Sequence, residues 1–229
     1  MQTVRLSKQV LIILIKSDFH IHSKYSPDSL LSIDALIRRC VVKGLGLIAI
    51  TDHNAIQGAL EAKDIAPFPV IVGEEVTTAD GELTGLFLNE LVPKGLTAKE
   101  TVKIIKSQNG LVSVPHPFDT FRRNVISQSA LSEIIMDVDI IEGFNARNTL
   151  NSANDKAKTL ALENGKPITS VTDSHTSYEL GRCYTELSIN LSEAITPRSL
   201  LESLGSARLY ENKVSPMIHV ATTLTKLIK

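Results

Sequence analysis

Histidine and carboxylate side chains recur in this sequence in a handful of short clusters: His20-Ile21-His22, Asp28, Asp52-His53, Glu74-Glu75, His116 and Asp173-Ser174-His175. Imidazole nitrogens and carboxylate oxygens together are ligands for divalent ions such as manganese, zinc and iron, and no cluster carries the thiolates of a sulphur-rich structural zinc site. A His-x-His pair at the end of a strand aims both rings to one side, because side chains alternate with a period of two. Taken singly, the same residues have plainer readings. A His-x-His can be a surface pair, Asp52 suits orienting a neighbouring ligand better than binding an ion, and His116, between Pro115 and Pro117, can be a rigid loop residue. Their shared placement argues otherwise. Histidines kept for packing would scatter among helices as well, whereas these five stand where apolar runs end; the sixth, His219, falls in a C-terminal stretch that no pattern places and reads as a surface residue.

The elements that must position these clusters alternate in type. The apolar run Leu11 to Ile15 reads as a buried strand leading into His20. Ser32 as N-cap, then Ile33, Leu36, Ile37, Cys40 and Val41 at helical spacing, with Gly44 as the stop, mark a helix. Leu47 to Ile50 shows no alternation and predicts a strand buried on both faces, ending at Thr51-Asp52-His53-Asn54. A short helix over 55–63 follows, then a strand from Pro69 to Val72 running into Gly73-Glu74-Glu75, and another from Leu83 to Leu88 entered by a tight turn at Ala79-Asp80-Gly81. Thr97 and Glu100 have the form of a capping box for a helix through Ile105 that stops at Asn109-Gly110. Next come a strand from Leu111 to Val114, a polar loop over 120–129 with Arg122 and Arg123, a helix over 130–136, and a strand from Val138 to Ile141 closing at Glu142 to Arg147. A helix over 152–163, strands over 168–171 and 184–189, and a helix opened by Thr196-Pro197 complete the pattern. Such alternation predicts parallel strands joined by right-handed crossovers, and about seven units fit a barrel better than an open sheet. The expected fold is α/β, a barrel of about seven β/α units with the polar clusters gathered at the carboxyl rim.

With 229 residues and no break in composition, the chain reads as one domain over 1–229, its motifs within about 16–185 and a strand, helix and tail over 186–229. Basic and acidic residues nearly balance, 24 against 25, so no general field draws nucleic acid or an anionic membrane; an anionic partner needs a local positive centre. Cys40 and Cys183 have no zinc-finger spacing, Cys40 lies on an apolar helix stripe, and a reducing, cytoplasmic setting is expected. No apolar segment approaches the ~20 residues of a membrane helix.

In order along the chain, His20-x-His22 followed by Ser26-Pro27-Asp28, then Thr51-Asp52-His53-Asn54, Gly73-x-Glu75, Pro115-His116-Pro117 and Asp173-Ser174-His175 resemble the motifs of the PHP (polymerase and histidinol phosphatase) family of metal-dependent phosphoesterases. The resemblance implies a distorted seven-stranded β/α barrel with two or three divalent ions, manganese, zinc or iron, on its carboxyl rim. Carried over by position, it implies that His20, His22, Glu75 and Asp173 hold one ion, that Glu75 bridges to a second also held by His116, and that Asp28, His53 and His175 hold a third. Glu75, Asp173 and His175 are the implied catalytic residues. Glu75 is preferred to Glu74 because the family's glutamate stands third in a Gly-x-Glu turn, which leaves Glu74 on the other face. One position departs. Many members carry a Glu-x-His on the following strand, its histidine serving the second ion, and here Glu82-Leu83-Thr84 places a threonine there.

A phosphoester resists hydrolysis because its oxygens repel the nucleophile and water is weakly nucleophilic at neutral pH. Divalent ions set against Asp28, Glu75 and Asp173 leave a positive pocket, acidify a shared water and stabilise developing charge. The expected activity is hydrolysis of a small phosphomonoester, a nucleotide or the end of a short oligonucleotide by a metal-bound hydroxide. Lys24, Arg122 or Arg123, and Arg147 are candidates to hold a further phosphate or a sugar. Two other readings stay open. Amidohydrolase-like deacylases and deaminases also begin with His-x-His, although they usually bridge their metals with a carboxylated lysine and no strand-end lysine is evident. A non-catalytic, metal-stabilised regulatory module is the other, with Thr84 as a mark of lost catalysis.

Overall fold

The computed structural model describes residues 12–190, 193–215 and 217–229, without the side chains of His219 and Ala221; Leu11 and the surface position expected of His219 lie outside the described residues. The elements run β1 (Ile12–Asp18), α1 (Ile33–Lys43), β2 (Leu45–Ile50), α2 (Gln57–Ile65), β3 (Val70–Thr78), β4 (Gly81–Leu86), α3 (Ala98–Ser107), β5 (Leu111–Val114), α4 (Gln128–Ile134), β6 (Ile140–Asn145), α5 (Asn151–Glu163), β7 (Ile168–Val171), β8 (Tyr184–Asn190), α6 (Pro197–Leu204), β9 (Arg208–Tyr210) and α7 (Ile218–Ile228). Helix ends follow the local chemistry. The Ser32 side chain accepts from the Ala35 N–H, Gly44 takes the left-handed conformation past α1, Thr97 and Glu100 bond reciprocally ahead of α3, and Pro197 opens α6.

The strands form one sheet in the order β7-β6-β5-β4-β3-β2-β1-β8-β9. It curls until its sides nearly meet. Ile21, just beyond β1, pairs in parallel with Ser174, just beyond β7, and the His22 N–H donates to the Ser174 carbonyl at 2.8 Å. Thr172 donates through its N–H to Asp18 at 3.1 Å, and the Thr185 hydroxyl of β8 bonds both backbone groups of Ser170 on β7. The expected α/β barrel is therefore formed, with a correction to its all-parallel wall: β4 is antiparallel to β3 and β5, and β8 is antiparallel to β1 and β9. The two residues between β3 and β4 can close only a hairpin, since a parallel return needs a crossover of about a dozen residues. It is the start of β4, not its end, that reaches the rim.

Both faces of the inner strands are buried, which is why they read as unbroken apolar runs. Ile48, Ile50, Val72, Val112 and Val114 belong to one cluster shared with α1 to α5, while Leu47, Ala49, Ile71, Leu86, Leu111 and Ile140 form a second inside the barrel, joined by Leu200 and Leu204 of α6. Along the inner rows the chemistry changes toward the rim. Ile71, Gly73 and Glu75 follow one another on β3, Leu86, Thr84 and Glu82 on β4 read backwards, and Ile140 and Glu142 on β6; the register sets Gly73 opposite Leu86 and Glu75 opposite Thr84. Gly73 permits a close approach, because a Cβ there would lie 2.8 Å from Thr51 Cγ2 and 3.0 Å from the Gly85 carbonyl. The start of β1 departs from the expected buried run: Ile12 and Leu14 are exposed. The unplaced tail forms α7. Among the described residues, no helix is long and apolar enough to cross a membrane.

Candidate metal centre

All eight side chains proposed as ligands from the sequence converge on the carboxyl rim. His20 and His22 leave β1 with their Nε2 atoms 2.9 Å apart, a distance two imidazoles accept only by sharing a proton or a cation. Glu75 Oε2 lies 3.4 Å from each of these nitrogens, and Asp173 Oδ1 lies 3.6 Å from His20 Nε2 and 3.4 Å from His22 Nε2. The other oxygen of Glu75 is 3.0 Å from His116 Nε2. Asp28 Oδ2 faces His53 Nε2 at 3.4 Å and His175 Nε2 at 3.2 Å, and His53 Nδ1 returns to Glu75 at 3.1 Å. Ligand atoms from His20, His22 and Asp173, from His20, Glu75 and His116, and from His22, Asp28, His53 and His175 each lie within 4.8 Å of one another. Glu75 Oε2 and Asp173 Oδ1 are buried and make no hydrogen bond among the described residues. Buried carboxylate oxygens left so are costly unless a cation satisfies them, so the residues present fit divalent ions.

The electrostatics agree with this arrangement. Burial alone would raise Glu75 and Asp173, yet His20 and His53 beside Glu75, and Arg122 and His20 beside Asp173, hold both well below the ordinary carboxylate range. Burial pushes His22 down to about 4 and His175 to about 3, the latter aided by Arg147, so both rings are neutral near pH 7, as ligation requires. His53 goes up to about 9 against the pull of burial because Glu75 and Asp28 face it.

Supporting groups set the ring orientations. Glu142, which sequence reasoning left without a role, binds His20 Nδ1 at 2.6 Å through one oxygen and accepts the His116 N–H at 3.0 Å and the Asn145 amide at 2.9 Å through the other. Its only signal was a place at the end of an apolar strand with no histidine beside it. Asp52 accepts from the Ser23 N–H at 2.5 Å and hydroxyl at 2.6 Å, tying the His20 to His22 segment to β2. Glu82 was also missed as a site group, and it stands 3.6 Å from His53 Nδ1. His116 and Asp173 have φ of 30° and 53°, left-handed values that cost non-glycine residues on the order of 1–3 kcal/mol each. Glu142 holds the first in place, and Arg122 with Asn145 the second.

A cavity of about 580 Å³ opens beside the cluster, with Asp28, His53, His175, Arg122, Arg123 and Arg147 in its wall. Arg122 reaches Asp173 at 2.5 Å, and Arg147 is buried against the Asp173 carbonyl, His175 and Thr222 of α7. Lys24 is not brought to the cavity: its ammonium pairs with Glu61 at 3.0 Å on the exposed side of α2. In its stead α7 supplies Lys226, 3.0 Å from Asp28. The sequence hid this helix because its polar residues Thr222 and Lys226 face the rim while Val220, Leu224 and Leu227 are exposed.

Residues 18–114 match the model of the PHP domain, and residues 151–209 match that of a PHP-associated segment. The chain belongs to the PHP family. Two Methanocaldococcus jannaschii proteins are similar to this PHP chain: MJ1587, uncharacterized, is 40% identical over 147 residues, covering 58% of this chain and 82% of its own, and MJ0417, also uncharacterized, is 32% identical over 196 residues, covering 83% and 79%. Among solved structures, a two-domain Bacteroides vulgatus protein containing a predicted PHP-like metal-dependent phosphoesterase superposes with a TM-score of 0.71 at 18% identity, over 93% of this chain and 70% of that one. An amidohydrolase from Chromobacterium violaceum, with bound sulfate and no metal, gives 0.61 at 16% identity, over 84% and 97%. These two likenesses are of fold.

Proposed function

We propose that this PHP protein is a metal-dependent phosphoesterase. The observation that carries the reading is the placement of Glu75, whose two oxygens face different nitrogen sets, His116 on one side and His20, His22 and His53 on the other, as a carboxylate bridging two cations must. His20, His22, Glu75 and Asp173 would hold one ion, Glu75 and His116 a second, and Asp28, His53 and His175 a third. Bound there, manganese, zinc or iron ions would supply positive charge and an acidified water. The chain's own residues do the rest. Glu142 fixes the His20 ring, Arg122 holds Asp173 toward the cluster, and Arg123 and Lys226 line a cavity suited to an anion. Those cations favour a phosphorylated substrate, a small monoester, nucleotide or oligonucleotide end, over the neutral amide of a deacylase. The sulfate bound to the Chromobacterium violaceum protein is a tetrahedral dianion of similar kind. Because Asp173 and His175, within the PHP-associated segment, complete a cluster begun at His20, we read residues 1–229 as one working unit. Phosphate release should be measured with added manganese on sugar phosphates, bis-phosphorylated nucleotides and short RNA or DNA. Chelator-sensitive release from any of them is expected; turnover of acyl or amino substrates alone would overturn the reading.

A further inference from the structure

Thr84, opposite Glu75 on the inner row of β4, is where the resemblance implies a histidine, and it cannot serve in its place. Its hydroxyl is buried, makes no hydrogen bond among the described residues, and sits one carbon from the backbone, opposite Glu75 in the register. Two residues earlier along β4, on the same inner row and nearer the rim, stands Glu82. Its carboxylate is buried, with Oε1 3.6 Å from His53 Nδ1 and Oε2 4.0 Å from His116 Nε2, and it groups with His53 and Glu75 as a set able to hold an ion. The local structure aims it there. Asn124 accepts the Glu82 N–H at 2.7 Å through its carbonyl and donates from its side chain to Oε1 at 3.2 Å. The chain around Ile126 lies so close that a Cβ at Gly81 would come within 2.3 Å of Ile126 Cα, which seats this segment on the start of β4. Two carboxylates, Glu75 and Glu82, thus share a buried space with two imidazoles, an arrangement that a cation between them stabilises and its absence penalises.

We infer that Glu82 completes the second cation site with Glu75 and His116, in place of a β4 histidine. The inference rests on the metal reading given under Proposed function and deepens it. Exchanging an imidazole for a carboxylate hardens the donor set and adds a negative charge, so the second site should favour manganese over zinc more than a site with the extra histidine would.

The test is manganese binding to the full chain, followed by calorimetry and by the electron paramagnetic resonance of free ion, in wild type, Glu82→Gln, Glu82→His and Thr84→His. Glu82→Gln keeps the size of the side chain and its Asn124 contact. It should weaken one manganese site by ~10- to 100-fold, the usual effect of disturbing a ligand, and leave the tightest site unchanged. Glu82→His should restore the site while shifting its preference toward zinc, and it decides the matter if Glu82→Gln fails to fold. Thr84→His should add little, because Glu82 already fills the place. Equal manganese isotherms for wild type and Glu82→Gln would overturn the role of Glu82 alone, as would a Thr84→His variant that gains a site lacking in wild type. Wild type that binds no manganese would overturn the metal reading and this inference together.

Discussion

Glu74 and Glu75 are neighbours in sequence and equally buried, yet they stand on opposite faces of β3 and meet opposite surroundings. Glu75 points into the rim among four imidazoles, which hold it ionised against the cost of burial. Glu74 points outward and, among the described residues, has one partner, the Val92 N–H at 2.8 Å; burial pushes it up to about 7. The difference teaches where buried charge is of use. On the inner face, Glu75 is matched by nitrogens that a cation can replace. On the outer face, a carboxylate is tolerated by taking up a proton.

The sharpest way to break the comparison is Glu75→Gln. An amide cannot bridge two cations with both atoms, so bound manganese should fall by at least one ion per chain and phosphoesterase rate by at least ~100-fold. Elemental analysis and turnover on the best substrate read both. A normal Glu75→Gln beside an inactive Glu74→Gln would mean that the two faces of β3 have been exchanged.

Much of this site was legible because its signals are local. His20-x-His22, Asp52-His53 and Asp173-x-His175 each carry ligand types side by side at a strand end, and the Gly-x-Glu turn of the resemblance, with parity along β3, separates Glu75 from Glu74. What escaped depends on distant partners. Glu142 acquires its role only because β1 and β6 curl toward each other, so that a single carboxylate meets His20 and the backbone of His116. Glu82 has no place at the rim of an all-parallel barrel, whereas the antiparallel return of β4 brings the strand's beginning there. Lys24, a candidate to hold a further phosphate or a sugar, is held outside the site by Glu61 of α2. Helix α7 gave no usable pattern, since its exposed side is apolar and its docked side polar.

A smaller effect is expected on the outer face, where Glu74→Gln should spare metal binding and turnover. Its signature is in stability against pH. Because the folded state holds the Glu74 proton up to about 7 while the unfolded chain releases it near the ordinary glutamate value of 4.5, ionisation disfavours folding. That contribution to stability is whole below about 4.5 and is lost as pH rises through 7, at most ~3 kcal/mol. Urea denaturation of the metal-free protein between pH 4 and 8 should show this decline shallower in Glu74→Gln than in wild type. Parallel curves would mean that Glu74 is ionised throughout and that the two faces of β3 treat charge alike.

The smallest effect tests how far the inner face relies on charges delivered from outside the barrel. Lys226 of α7 places an ammonium 3.0 Å from Asp28 Oδ2, the oxygen that also faces His53 and His175. An ammonium and a divalent ion seek the same oxygen, so each must displace or tolerate the other. The lysine side chain is more than half exposed, and such pairs contribute little, up to ~1 kcal/mol. Lys226→Gln should therefore tighten manganese at the Asp28 site by no more than ~5-fold, while KM for an anionic substrate rises if the same ammonium also faces the cavity's contents. Manganese titration and substrate saturation on one preparation separate the two effects. A Lys226→Gln variant with weaker metal binding would show that the ammonium supports the Asp28 site instead of competing for it, and the balance of charge at the rim would then extend through α7.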